Sequence, residues 1–140
     1  MATKAVAKPA ATKGAPKKKK KAIKLSAGVL HVHTSFNNTI VTLTDMQGNK
    51  VAGGGTGHVG FKGTKQSTPY AAEVLTREIM KEAKEQSGLK EVIIVARGLG
   101  MGRDGVFKGI NDVGGIDITA IKEDTPLQFG GCKRKRPKRN

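Results

Sequence analysis

An α/β fold is predicted: one mixed β-sheet with helices packed on it, in the order β-β-β-α-β-α-β, between two basic tails. Three observations predict it. Residues 29–53 alternate apolar and polar side chains in short runs joined by short turn signals, the pattern of an antiparallel meander. Residues 69–87 carry a long helical repeat behind a strong start signal. Val92, Ile93, Ile94, Val95 and Ala96 form a short, unbroken apolar run. It reads as a central strand, buried on both faces and flanked by parallel neighbours.

Taken in order, residues 1–25 form a flexible arm rich in alanine, lysine and proline, with too few large apolar groups to offset the entropy of ordering. The α/β domain is expected over residues 26–128 and a basic tail over 129–140. In the first strand Leu30, Val32, Thr34 and Phe36 alternate with Val29, His31, His33 and Ser35. Asn37 and Asn38 supply a turn, because asparagine tolerates the left-handed region. Residues 39–44 are β-branched-rich and return as the second strand. A turn at residues 45–49 leads to the third strand, which begins at Lys50 and reaches Gly53. From Gly53 to Gly63 the chain is too glycine-rich to pack a core by itself. Lys62 and Lys65 lie among or beside these glycines, immediately before a helix, so the segment reads as backbone pressed against a ligand, with a flexible linker as the alternative.

Ser67 or Thr68 caps that helix and Pro69 suits its first position. Ala72, Leu75, Ile79 and Ala83 recur on one buried face, beside Val74 and Met80. Glu73 with Arg77, and Lys81 with Glu85, are expected as i,i+4 pairs on the solvent side. Gly88 ends the helix. After the apolar strand, Gly98, Gly100 and Gly102 alternate with Leu99 and Met101, bracketed by Arg97 and Arg103. A loop of this kind at the carboxyl end of a central strand is a natural binding site. Its glycines permit close approach, its arginines pair with phosphate, and Asp104 is placed to cap the following helix. The spacing departs from dinucleotide and P-loop fingerprints, because Arg103 stands where a third glycine belongs. Contact with a nucleic-acid backbone, a plain structural turn and a nucleotide cofactor are the three uses left open. Val106, Phe107, Ile110 and Val113 form a second, shorter helix, stopped at Gly114 and Gly115. Residues 116–121 alternate as the last strand. Each helix spans two strands as a crossover, so the later strands should run parallel.

The net charge of +15 is unevenly distributed. Residues 1–24 hold nine lysines and no acid, and residues 133–140 hold six basic residues and no acid. The remaining 11 basic residues match all 11 acidic ones, so the body is formally neutral and the tails carry the excess. A neutral body with cationic arms calls for a polyanionic partner, and nucleic acid fits best. The tails lack the apolar face a membrane surface requires, no stretch approaches a bilayer span, and the first residues resemble neither a secretory signal nor a transit peptide. The single cysteine, Cys132, permits no internal disulfide and points to a reducing cytoplasm. Phe36, Phe61, Tyr70, Phe107 and Phe129 are the only aromatics, too few for a platform stacking a run of bases. His31 and His33 share a strand face, but neither cysteine nor carboxylate clusters with them as metal binding requires. No constellation supports catalysis, so no enzyme activity, cofactor, metal or small-molecule substrate is expected. Two other function classes remain as alternatives: a general nucleic-acid-compacting basic protein, and a nucleotide-binding enzyme using the 98–103 loop.

Residues 35–45, followed by Gln47 and Gly48, carry a familiar motif: Ser, Phe, Asn, Asn, Thr, Ile, Val, Thr, Leu, Thr, Asp. Together with Gly60, Phe61, Lys62 and Gly63, with residues 67–71, with the 98–103 loop and with Gly131 and Cys132, it resembles the eleventh small-subunit ribosomal protein family, bacterial type. The resemblance runs from about Gly28 to the C-terminus. It implies a ribonuclease-H-like mixed five-stranded sheet without nuclease activity, as part of the ribosome; the lysine arm favours a bacterial cytoplasm, with an organelle as the alternative. It implies binding to 16S rRNA at the platform of the small subunit, near the exit site and the mRNA path. Ribosomal proteins seven and eighteen of that subunit are the implied neighbours. RNA contact is implied for Asn37, Asn38, Lys62, Gly63, Ser67, Thr68, Arg97, Gly98, Gly100, Gly102 and Arg103, with Lys65 beside them. The basic tail adds Lys133, Arg134, Lys135, Arg136, Lys138 and Arg139. Leu99 and Met101 stand where the family usually has proline, and Phe129 and Gly130 where it often has His-Asn.

Overall fold

In the computed structural model, which describes residues 24–139, alternation builds the expected meander from β1 (Ala27–Thr34), β2 (Thr39–Thr44) and β3 (Lys50–Gly55). Leu30 and Val32 of β1 pair with Leu43 and Val41 of β2, and all four are buried on the same face. β1 stops at Thr34 because Ser35 turns the chain. The Ser35 amide donates to the Asn38 carbonyl at 2.9 Å, and its hydroxyl accepts from the Asn38 amide at 3.0 Å. Phe36 therefore leaves the alternation and is 80% exposed. The turn is also made without left-handed asparagine, since no non-glycine residue among those described has a positive φ. β3 runs on through Gly53, Gly54 and Gly55, paired with Thr42, Val41 and Ile40. The first glycines of the glycine-rich segment are thus edge strand, and the loop starts later than expected.

The helix α1 (Pro69–Ser87) begins as its signal dictates. The Thr68 hydroxyl accepts from the Ala71 amide at 3.2 Å and Pro69 occupies the first turn, while Gly88 closes the other end. β4 (Glu91–Arg97), α2 (Gly102–Val113) and β5 (Asp117–Glu123) complete the chain. The sheet order is β3-β2-β1-β4-β5, with β1, β4 and β5 parallel and β2 running against its neighbours. This is the mixed five-stranded sheet of ribonuclease-H-like order.

Both helices lie on one face. Leu30, Val41, Leu43, Val92 and Ile94 from the sheet meet Leu75, Met80, Val106 and Ile110 from the helices in a single core. Among the described residues, the other face has no covering layer. His31, His33 and Ile40 are exposed there, and Ile93 and Val95 are only half-buried. β4 is central and parallel as expected, but it is covered on one face, not two.

The seam between α1 and α2 corrects a second expectation. Glu73 is 8% exposed and sits at that seam, not on a solvated face. Its carboxylate meets Arg77 at 2.8 Å and Lys108 at 3.2 Å, while Arg77 also reaches Asp112. The hydrogen bond from Arg77 holds the Asp112 carboxyl below the usual carboxylate range. At the other end of the sheet core, Leu25 is buried and its amide donates to the Ser87 carbonyl at 2.8 Å. Among the described residues, packing therefore starts at Leu25, the last residue assigned to the arm. The rest of the expected N-terminal arm, residues 1–23, lies outside the described residues.

Candidate nucleic-acid interface

The carboxyl ends of β1, β4 and β5 meet along one edge of the sheet, and the loop after β4 is folded onto that edge. Gly98 has φ +99°, and a Cβ there would overlap the Thr34 carbonyl oxygen. Only glycine satisfies both conditions. The Thr34 hydroxyl spans the loop, donating to the Arg97 carbonyl at 3.4 Å and accepting from the Gly100 amide at 3.3 Å. The Gly98 amide donates to the Thr125 hydroxyl at 3.0 Å. Gly100 is buried against the Ser35 carbonyl and Gly102 against the Thr39 hydroxyl. The close approach that these glycines permit is to the protein's own backbone. What the loop presents outward is Leu99 and Met101.

The two bracketing arginines differ. Arg103 is turned inward: its guanidinium donates to the Gly98 carbonyl at 3.3 Å and pairs with Glu123, clamping the loop to the end of β5. Arg97 is exposed and has no ion pair among the described residues. α2 starts at Gly102, with Met101 at the cap position and no side-chain cap. Asp104 is not the cap but lies in the first turn, where its charge faces the positive end of the helix.

A second segment is tied to the same edge by Thr56. This buried residue follows β3, and its hydroxyl lies 2.7 Å from the Asn38 side-chain oxygen and 2.9 Å from the Gln66 carbonyl. It joins the Asn37 and Asn38 turn to a short 3-10 helix, Gly63–Ser67. Gln66 donates to the Phe61 carbonyl at 3.0 Å, and Phe61 meets Tyr70 edge-on at 6.0 Å between ring centres. This leaves Lys62, Gly63 and Lys65 exposed. Ser67 donates to the Thr64 carbonyl at 3.0 Å, and Thr68 donates to the Lys65 carbonyl at 2.8 Å while capping α1. Thr34, Thr56, Gln66, Glu123 and Thr125 hold the site together. Sequence reading passed over all five. Thr56, a lone hydroxyl between two glycines, was the one with a visible signal.

The structure thus gathers the 37–38 turn, the 62–68 segment and the 97–103 loop along one sheet edge. Beyond β5 the Asp124 amide donates to the Ala96 carbonyl at 2.9 Å, so the chain departs from this edge toward the tail. Lys133, Arg134, Lys135, Arg136, Lys138 and Arg139 are all exposed and outside regular structure. Among the described residues, no three His, Cys, Asp or Glu side chains gather as a metal site would need, and no helix is long and apolar enough to cross a membrane.

Comparison with known proteins gives the family. A family model described as Ribosomal protein S11 matches residues 28–139. A small ribosomal subunit protein uS11 from Aquifex aeolicus is 46% identical over 119 residues, covering 85% of this chain and 94% of its own length. The uS11 of Campylobacter curvus is 43% identical, covering 82% of this chain and 89% of its own length. That of Thermotoga maritima is 39% identical over 127 residues, covering 91% and 96%. The matched span takes in the sheet from the second residue of β1 onward, both helices, the glycine loop and nearly all of the basic tail, so the chain belongs to the ribosomal protein S11 family.

Proposed function

We propose that the protein is a structural constituent of the small ribosomal subunit, holding 16S rRNA and performing no catalysis. One observation carries the reading. Lys62, Lys65 and Arg97, none of them ion-paired among the described residues, are set along one rigid edge from which a tail with six cationic side chains departs. Family membership and the names of the relatives support the ribosomal setting. Lysine ammoniums, the free Arg97 fork and the exposed backbone at Gly63 contact phosphates and 2′-hydroxyls, so RNA is recognised by shape more than by base. Asn37, Asn38, Ser67 and Thr68 offer polar contacts from segments already held by their own hydrogen bonds. Gly98, Gly100, Gly102 and Arg103 act mainly by fixing the loop that presents Arg97.

The finer placement is the platform near the exit site and the mRNA path, with ribosomal proteins seven and eighteen as neighbours, in the ribosomes of a bacterial cytoplasm. In this reading residues 1–24 and 133–140 supply affinity, and the body supplies placement. The test is salt-dependent binding to the platform region of 16S rRNA, comparing the full chain with truncations lacking residues 1–24 or 133–140. The expected result is a steep salt slope that shallows with each truncation by roughly 0.7–0.9 per lost phosphate contact. The body alone should keep a preference for platform RNA over duplex DNA. Equal affinity for the two would assign the protein to general nucleic-acid compaction instead.

A further inference from the structure

Beside the loop lies a cleft of about 410 Å³ that none of the contacts described so far fills. Its walls are Phe36, Leu99 and Pro126, with His33, Thr34 and Arg97 at its base and rim. Phe36 is 80% exposed and Leu99 72% exposed, so both present apolar surface outward at a place where the fold gains nothing from it. The hydroxyls of the wall are already committed. The Thr34 hydroxyl lies between the Arg97 carbonyl and the Gly100 amide. The Ser35 hydroxyl is engaged by Asn38, and the Thr125 hydroxyl by Gly98 and Glu123. A group entering the cleft therefore meets an aromatic face, aliphatic walls, the His33 imidazole and a guanidinium with no ion pair among the described residues. It meets little that could read a hydrogen-bonding pattern.

We propose that this cleft holds one unpaired nucleotide of the bound RNA, its base stacked on Phe36 between Leu99 and Pro126 and its phosphate on Arg97. The proposal rests on the RNA-binding reading above. Charge selects the occupant. Arg97 stands at the rim, and from Thr125 to the C-terminus the chain holds six basic residues and no acid, a setting that favours a polyanion over an apolar peptide segment. Scarcity of aromatics excludes a platform for a run of bases, but a single ring beside aliphatic walls suits one. Because every base has a π-face and the wall hydroxyls are occupied, the cleft accepts any of the four.

The test uses the full chain and two RNA duplexes identical except that one carries a single-nucleotide bulge. The expected result is a preference of about fivefold or more for the bulged duplex, the effect of one base stacked on an aromatic side chain. Phe36→Ala should erase that preference while leaving affinity for the flush duplex and its salt slope intact, and Phe36→Trp should retain it. Equal binding of both duplexes by the unaltered protein, or a preference that survives Phe36→Ala, would overturn the proposal and leave the cleft to a protein segment. Failure to bind either duplex in a salt-dependent manner would overturn the RNA-binding reading itself, and this proposal with it.

Discussion

Two segments of this protein are both rich in glycine and use it in opposite ways. Between residues 98 and 109 the glycines face inward. A side chain at Gly98, Gly100, Gly102 or Gly105 would collide with the chain's own backbone or with Thr39, and at Gly109 a Cβ would lie 2.7 Å from the Glu73 carbonyl oxygen. α2 lies close against α1 because Gly105 fits over Pro69 and Gly109 over Glu73. At Gly60 and Gly63, by contrast, an added Cβ would meet nothing within 4 Å. The lesson is that glycine density alone does not mark a binding surface. The segment that looked most like a ligand loop is filled by the protein itself, and the plainer one between β3 and α1 is open to a partner.

The largest effect is expected from testing the inward segment. Gly98→Ala combines a positive φ with backbone overlap and should cost about 3 kcal/mol or more, read from the midpoint of urea unfolding. An unchanged midpoint would mean that the loop can shift away from β1, and the contrast would collapse. Gly60→Ala should cost only about 1–2 kcal/mol, because φ of +91° is strained for alanine but the space is free. A smaller effect belongs to the seam that the inward glycines make possible. Asp112 is held below the usual carboxylate range by Arg77, so its contribution is fully present above the unfolded-state value, about 3.9, and is lost as pH falls through the lower folded value. Asp112→Asn should therefore destabilise at neutral pH, with the difference closing as pH falls through the lowered folded-state value. Lys62→Ala with Lys65→Ala should barely change stability, within about 0.5 kcal/mol, yet reduce the salt slope of RNA binding by about one per lysine. An unaltered slope would remove these lysines from the interface.

Much of this architecture could be read from local pattern. The second strand, the Pro69 start and the Gly88 stop fall where their residues predict, because each depends on neighbours in sequence. The errors share a different cause. Val92 to Ala96 is apolar on both sides of the strand, which reads as a strand between two layers. Among the described residues only one layer covers it, and Ile93 and Val95 face the other side beside His31 and His33. Periodicity reports that a side chain is apolar, not what covers it. Glu73 misled in the reverse sense. A charged residue in a helix reads as solvated, and its burial depends on Arg77 and Lys108 arriving from two helices. Arg103 is the same case at the site, since its pairing with Glu123 spans 20 residues.

The position of β1 also sets an order of assembly. It lies in the middle of the sheet, paired with β2 through a four-residue turn but with β4 across 63 residues of separation, as in the contact of Thr34 with Arg97. As the chain emerges from its own synthesis, β1, β2 and β3 can pair at once. The other edge of β1 must wait until α1 and β4 have followed. Through that interval Val29 to Val32 expose an unpaired strand edge, a template for joining another chain. The closure that ends the interval is a non-local parallel pairing, the slow kind of contact to form. Whatever RNA binds at the carboxyl edge can meet a finished site only after residue 97 has docked. If the proposed site is the RNA site, its completion waits on the closure of β4 onto β1.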